Sequence, residues 1–299
     1  MRVRKGLKLF YFYAGTVIQL PLELIHSVVS FVDSPATLAR LCLVSHIFRD
    51  VGAAQLYQAV KLHSPSTTVM CLKTLNRSPE LARHVRTLSI TYPPHTDMNT
   101  TKALSALLGR ALHNTPMVTV LSVDLYTPFS KYLKGAPFRA TTVQISCDWD
   151  ADLTAWLLEQ ASIRVFVFNG LLTPNVPIPR SVLPGLTRVT GIPRAICAIV
   201  PGRPVEQVLV SCVQGDPLAL HPSTFDALAR SCEQSTRPIR ALLLAFRFYR
   251  NPAPEEVFEC LSALPDRLPG LVKLSILLQG PTHAIDEASF LIPKPDNKD

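Results

Sequence analysis

One short pattern recurs along this 299-residue chain and leaves few folds open: an apolar residue, two variable positions, then two apolar residues one position apart. It reads Val85-x-x-Leu88-x-Ile90, Val118-x-x-Leu121-x-Val123, Val205-x-x-Val208-x-Val210, Ile239-x-x-Leu242-x-Leu244 and Leu271-x-x-Leu274-x-Ile276. Weaker relatives lie at Val143-x-Ile145, Val165-x-Val167 and Leu186-x-x-Val189. Alternation with period two is that of a half-buried strand. Helix-period stripes lie between several of these strands: Leu104, Leu107, Leu108 and Ala111; Leu153, Trp156 and Leu157; Phe225, Leu228, Ala229 and Cys232; Val257, Phe258 and Leu261. A strand, a turn and a helix returning every ~20–35 residues predict an α/β repeat architecture with parallel strands. A conventional α/β sheet is the alternative.

Residues 20–62 carry no such repeat. They predict three short helices with clear start signals. Pro21 suits a first helical position, where its fixed φ helps and its missing N–H costs nothing. Ile25, Val28, Val29 and Val32 follow at helical spacing. Ser34-Pro35 is a cap and first residue for a second helix carrying Leu38, Leu41 and Cys42. Ser45 caps a third, with Phe48, Val51 and Tyr57 among its apolar positions. Some forty residues cannot bury an ample core. Leu20, Leu24, Leu43 and Leu56 are left over, and a partner could cover them.

These residues also carry a family resemblance. Leu20-Pro21-x-Glu23-Leu24-Ile25, Phe31-Val32, Leu38-x-x-Leu41-Cys42-Leu43-Val44-Ser45-x-x-Phe48 and Leu56-Tyr57 together resemble an F-box, in the flavour found among mushroom-forming fungi. The one departure is His46, where that family commonly has Lys or Arg. The resemblance implies docking on a Skp-type adaptor and, through it, on a cullin scaffold that brings a ubiquitin-charging module. It assigns adaptor binding to Leu20, Pro21, Glu23, Leu24, Ile25, Leu41, Val44 and Phe48; some of these must instead hold the three helices together. The downstream pattern is similar to the degenerate leucine-rich repeats often found behind an F-box, a horseshoe with strands on its concave side and helices outside. The implied function is substrate recognition in an SCF-type ubiquitin ligase, with an unidentified protein substrate. A non-ligase repeat scaffold for protein or nucleic acid is the alternative.

The expected organisation is an N-terminal extension at 1–19, the helical unit at 20–62, the repeats at 63–292 and a frayed tail at 293–299. Val69, Leu72 and Leu75 predict a helix over 66–76, and Ser78-Pro79 restarts a turn. The prolines, dense between Pro174 and Pro204, predict extended crossings. Ala284–Ile292 is a candidate cover for the last repeat. Residues 1–20 imitate a signal peptide, but their apolar run is too short to span a bilayer and lacks a small-residue cleavage site. Cytoplasm or nucleus is the expected location, with no membrane partner.

The composition, 47% hydrophobic and 17% charged, fits a large core. The net charge is +8, but Lys and Arg are scattered apart from Arg2, Arg4, Lys5 and Lys8, so no nucleic-acid partner is expected. Seven cysteines, odd in number and without a C-x-x-C, suggest reduced buried thiols. No nucleotide-binding glycine loop, zinc-protease helix or serine-hydrolase elbow occurs, and the eight histidines are dispersed. No catalytic residue, metal or cofactor is therefore expected. Asp148, Asp150, Asp152 and Glu159 imitate a calcium loop, but Leu153 occupies the position that needs Gly, so a capped helix start is expected instead. Finally, Tyr92, Tyr126, Trp149 and Tyr249 fall at or beyond strand C-terminal ends, and with the nearby acids they are a candidate substrate rim.

Overall fold

The computed structural model describes residues 21–91, 98–125, 128–173, 177–212, 222–247, 264–279 and 285–291. The chain divides into two compact units between Leu56 and Tyr57.

The first unit is helical. α1 (Leu22–Ser30) starts directly after Pro21, one residue later than the proline signal suggests. α2 (Pro35–Leu41) has Pro35 in its first turn, and Ser34 Oγ accepts from Thr37 N (3.4 Å). α3 (His46–Gln58) begins where Ser45 Oγ accepts from Phe48 N (3.3 Å). Each hydroxyl satisfies one of the N–H groups that a helix start leaves without an intrahelical partner. The core is small: Ile25, Val29, Leu38 and Val51, with Val32, Leu41, Phe48 and Leu56 packed against it. Gly52 lets α3 come close to α2, since a Cβ there would lie 2.8 Å from Cys42 Sγ.

The second unit is built on one ten-stranded sheet in strict sequence order. Its strands are β1 (Ala59–Leu62), β2 (Thr87–Thr91), β3 (Val120–Asp124), β4 (Thr142–Ile145), β5 (Val165–Phe168), β6 (Arg188–Gly191), β7 (Gln207–Cys212), β8 (Ala241–Arg247), β9 (Lys273–Gln279) and β10 (Ile285–Leu291). The first nine are parallel; β10 pairs antiparallel with β9, within the stretch expected to cover the last repeat. β1 falls inside the stretch read as the helical unit. Its Tyr57-x-x-Val60-x-Leu62 is a further copy of the repeated signature, with Tyr57 half-buried and Val60 and Leu62 buried.

Register explains the signature. Val60, Leu88, Leu121, Val143, Phe166, Val189, Val208, Leu242 and Leu274 stand side by side across the sheet. Neighbours in this row lie between 19 positions (Val189 to Val208) and 34 positions (Val208 to Leu242) apart. The next inward position repeats the arrangement, with Gly191 standing there on β6, and the side chains of both rows join one core with Val85, Val118, Val205, Ile239 and Leu271. The leading apolar residue of each signature is thus buried just before its strand, and the last two are the strand's inward pair. The weak relative at Val165-x-Val167 is out of phase: Phe166 and Phe168 are the buried pair, and the two valines are half-exposed. In a Val-Phe-Val-Phe run both parities are apolar, and the larger rings take the core.

A shared carbonyl ladder links the turns that enter the strands. Arg86 O accepts from both Thr119 N and Val120 N. Thr119 O, Thr141 O, Arg164 O, Thr187 O, Glu206 O and Arg240 O each accept in the same way from the next repeat. Thr119, Thr141 and Thr187 add their hydroxyls to this ladder, at 3.1–3.3 Å.

The crossovers carry α4 (Pro65–Arg77), α5 (Pro79–Ala82), α6 (Met98–Asn114), a 3-10 turn (Ser130–Tyr132), α7 (Ala151–Glu159), α8 (Pro193–Ile199), α9 (Pro222–Glu233) and α10 (Leu264–Arg267). The expected stripe at Val257, Phe258 and Leu261 lies outside the described residues. The proline-dense segment is less extended than expected. Pro193 opens α8 rather than preventing it, because the first turn needs no proline N–H.

What holds this proline-dense segment is Arg203, which is 1% exposed. Its Nε donates to Val182 O (2.6 Å), Nη2 to Pro179 O (2.7 Å), and Nη1 to Ile199 O and to Pro201 O (3.2 Å). Burial, with the Arg180 cation adding to it, pushes the guanidinium down to about 10. All four of these partners are backbone carbonyls, and Pro179 and Val182 belong to the turn in which Leu183 adopts φ 56°.

Candidate partner-binding surfaces

The first unit has an apolar outside as well as an apolar inside. Leu24 and Val28 on α1 and Phe31 directly after it follow at i, i+4 and i+7 and are exposed, Phe31 at 84%. Leu22 is exposed beside them. Leu43 (84%) and Val44 (65%) project from the turn after α2, whose N–H groups donate back to Arg40 O and Leu41 O. Ile47, in the first turn of α3, is also exposed. Large apolar side chains standing this far out over so short a stretch are a feature of interaction sites.

The residues expected to meet an adaptor divide accordingly. Pro21, Glu23, Leu24 and Val44 are exposed. Ile25 is buried, while Leu41 and Phe48 pack on the small core, so these three hold the helices together. Leu20 lies outside the described residues. Leu22, Val28, Phe31 and Ile47 are exposed as well, although the resemblance assigns none of them to adaptor binding. Helical spacing groups Val28 with Ile25 and Val29, but only those two are buried.

At the carboxyl ends of the strands the expectation needs correction. Trp149 is not on a rim; it is 1% exposed. Its indole N–H donates to Thr154 Oγ1 (2.9 Å), and its ring meets Phe166 and Phe168 edge-on at 5.9 and 5.3 Å. Two close segments carry it inward. Trp149 N donates to Leu171 O (2.8 Å), and Gly170 packs so closely that a Cβ there would fall 1.7 Å from Cys147 O. Tyr92, Tyr126 and Tyr249 lie outside the described residues.

Between these two segments is a cavity of about 220 Å³, lined by Ser146, Cys147, Asp148, Asn169, Gly170 and Leu171, with Pro128 at its edge. Ser146 and Asn169 each stand one residue beyond the last registered pair of their strands, because Ser146 N donates to Val123 O (3.1 Å) and Asn169 N to Ile145 O (2.9 Å). Ser146 is 2% exposed, and its hydroxyl has no hydrogen-bond partner. The same is true of the sealed Oδ1 of Asp124, at the end of β3. Burial, then the charges of Asp150 and Asp148, push the Cys147 thiol up to about 12. A larger groove, about 710 Å³, runs past Asn76, Arg110, His113, Lys131 and Tyr132.

The calcium-loop imitation is a helix start. Asp150 caps α7 by accepting from Leu153 N (2.7 Å), and its other oxygen takes the Ser130 hydroxyl. Among the described residues no three His, Cys, Asp or Glu side chains are grouped to hold a metal. Cys42, Cys71, Cys147, Cys197 and Cys232 are free thiols. None of the described helices is long and apolar enough to cross a membrane. No protein-family model matches the chain, and no curated protein matches it.

Proposed function

We propose that this protein is a substrate-recognition subunit of an SCF-type ubiquitin ligase. The helices before Leu56 dock on a Skp-type adaptor through an F-box-like face. The sheet unit acts as an irregular leucine-rich-repeat array that presents a protein substrate. The chain itself makes and breaks no bond. It raises the local concentration of substrate lysines near the charged module.

One observation carries this reading. Leu24, Val28, Phe31, Leu43 and Val44 are exposed on a unit whose own core is already complete without them. Covering a fully exposed Leu or Phe is worth about 1.5–3 kcal/mol. Several such side chains together are enough for a specific complex after the cost of association. The strict sequence order of nine parallel strands is what a repeat array requires of the second unit.

The test mixes the purified full-length chain with a purified Skp-type adaptor and follows the complex by size exclusion and calorimetry. A complex with a Kd in or below the micromolar range is expected. The double variant Leu24→Asp, Leu43→Asp is expected to lose it, because each carboxylate would have to be desolvated in the contact. Both positions are exposed, so the fold persists, and the fluorescence of Trp149 and Trp156 reports on the sheet unit separately. Absence of a complex at tens of micromolar, or equal binding by the double variant, removes the proposal. Capture of other proteins by an unaltered chain that forms no adaptor complex would point to a non-ligase scaffold.

A further inference from the structure

We infer that the edge of the sheet at which the strands begin binds an extended acidic segment of a partner protein, one with apolar residues between its Asp and Glu. In the proposed function that segment belongs to the substrate, and only this attribution rests on that reading. The surface itself lies wholly on the sheet unit.

Basic residues that are dispersed along the chain are gathered here by register. From β2 to β9, the three residues before each strand and its first residue form an entry, and the shared carbonyl ladder holds these eight entries side by side. Neighbouring strands lie about 4.8 Å apart, so the edge runs for roughly 34 Å. The entries carry the cations Arg86, Arg139, Arg164, Arg188, Arg240 and Lys273, and a single acid, Glu206. Arg86 is half-buried and the other five cations are exposed. Glu206 is already matched, because Arg237 Nη1 donates to its Oε1 (2.6 Å). That bond, aided by the charges of Arg237 and Arg240, holds the Glu206 carboxyl below its ordinary range. Hydrogen bonds also lay three of the guanidinium groups along the edge. Arg86 Nη1 donates to Met117 O (3.4 Å) and Arg164 Nη1 to Gly185 O (2.9 Å), each in the next entry. Arg188 Nε donates to Gln207 Oε1 (2.7 Å), at the start of β7. Each bond takes one of five guanidinium donors and fixes the fork, so less side-chain freedom is lost when an anion arrives.

The same edge selects among polyanions. Met117, in the entry of β3, is 45% exposed, and Val272, in that of β9, is 49% exposed. Pro116, Pro184, Pro238 and Pro269 stand three or four residues before their strands and are exposed too. Apolar and cationic groups are thus interspersed, and a peptide that mixes Asp and Glu with Leu or Ile answers both. A nucleic acid answers only the charge. Single strands gain much of their affinity by stacking bases on aromatic rings, and no Phe, Tyr or Trp occurs in the eight entries. A nucleic acid also repeats its charge at every unit, which would set a phosphate against Glu206, where a peptide can place an apolar residue. About ten extended residues, at ~3.3 Å each, span the edge.

The experiment uses the full-length chain and a fluorescein-labelled decapeptide, Glu-Asp-Leu-Glu-Asp-Ile-Glu-Asp-Leu-Glu, read by fluorescence anisotropy. A Kd of about 10–100 μM is expected at about 0.1 M salt, at least about tenfold tighter than for the same peptide with Gln and Asn in place of its acids. Binding should weaken severalfold at about 0.5 M salt, where exposed charges are screened. The double variant Arg139→Glu, Arg240→Glu is expected to lose at least about tenfold in affinity, and Lys273→Glu about threefold. Lys131→Glu, at an exposed position outside the entries, should change affinity by less than about twofold. An unchanged urea midpoint shows that each variant is folded. Equal binding of the neutral peptide would make the edge merely apolar, and tighter binding of an oligothymidylate of the same length would make it a nucleic-acid surface; either overturns the inference. So does unaltered affinity in the double variant, an equal loss in Lys131→Glu, or no binding of the decapeptide at about 1 mM. None of these measurements involves the adaptor, so the two proposals fail separately.

Discussion

Removing Arg203 should loosen the proline-dense part of the sheet unit more than any single apolar truncation there. Its guanidinium makes four hydrogen bonds to backbone carbonyls, on Pro179, Val182, Ile199 and Pro201. Bonds to a charged group contribute about 1.5–3 kcal/mol each. Against them stands the cost of holding the cation there: burial, with the Arg180 charge beside it, brings the group from 12.5 to about 10, which disfavours the charged form by about 3 kcal/mol. The bonds win, and Arg203→Met should destabilise by about 3–5 kcal/mol, the range for breaking a buried ionic network. Arg203→Lys keeps the charge but not the fork, so it should recover less than half of that loss. The chain's two tryptophans, Trp149 and Trp156, are both buried in the sheet unit, so their fluorescence in urea follows that unit without interference from the helices. The expected midpoint shift is about 1 M, and the thermal transition should fall by about 10 °C. Hydrogen exchange should accelerate first at the amides of Val182 and Val205, which are bonded to Pro179 O and Arg203 O. An Arg203→Met protein within about 0.5 kcal/mol of wild type would refute the reasoning, since surface substitutions alone have effects that small.

Two further outcomes follow from burial. Trp149→Ala should cost about 3–5 kcal/mol by leaving a cavity against Phe166 and Phe168, which calorimetry would measure; a rim residue would cost almost nothing. Cys147 and Cys232 are both pushed up to about 12 by burial, so at pH 8 only about one thiol in ten thousand is ionised. Iodoacetamide should spare both in the folded protein and label them after unfolding. Mass spectrometry of the alkylated peptides checks this, and rapid native labelling at pH 8 would contradict it.

Most of the parallel strands are legible because they carry two inward apolar residues behind a third that is buried in the preceding turn, a combination with little ambiguity. β1 is harder to read, although Tyr57-x-x-Val60-x-Leu62 fits the same rule, because Tyr57 also continues the helical period of Phe48 and Val51. The phase of β5 was lost for a related reason: Val165-Phe166-Val167-Phe168 is apolar on both faces, and only packing volume selects the rings. On α1 the sequence offers two apolar stripes, Ile25-Val29-Val32 and Leu24-Val28-Phe31. Periodicity finds them both and cannot say which one faces out. The cleft had no signal at all. Ser146 and Asp148 meet Asn169 only because β4 and β5 are in register, and side chains from separate repeats leave no local pattern. The burial of Trp149 is not legible in sequence because an aromatic residue past a strand end can turn either way, and the bare backbone at Gly170 decides it.

The sheet's numerical order bears on how such a chain leaves the ribosome. Every strand from β2 onward pairs with the strand synthesised just before it, so none has to wait for a later partner. The separations between paired residues stay at or below the 34 positions from Val208 to Leu242, which keeps loop-closure costs modest and contact order low for a protein built on so wide a sheet. Each rung can therefore form on a template already in place, with growth running from the amino to the carboxyl end. The antiparallel β10, arriving last, is the one step that reverses direction, and it takes the edge that the growing ladder would otherwise leave open on β9.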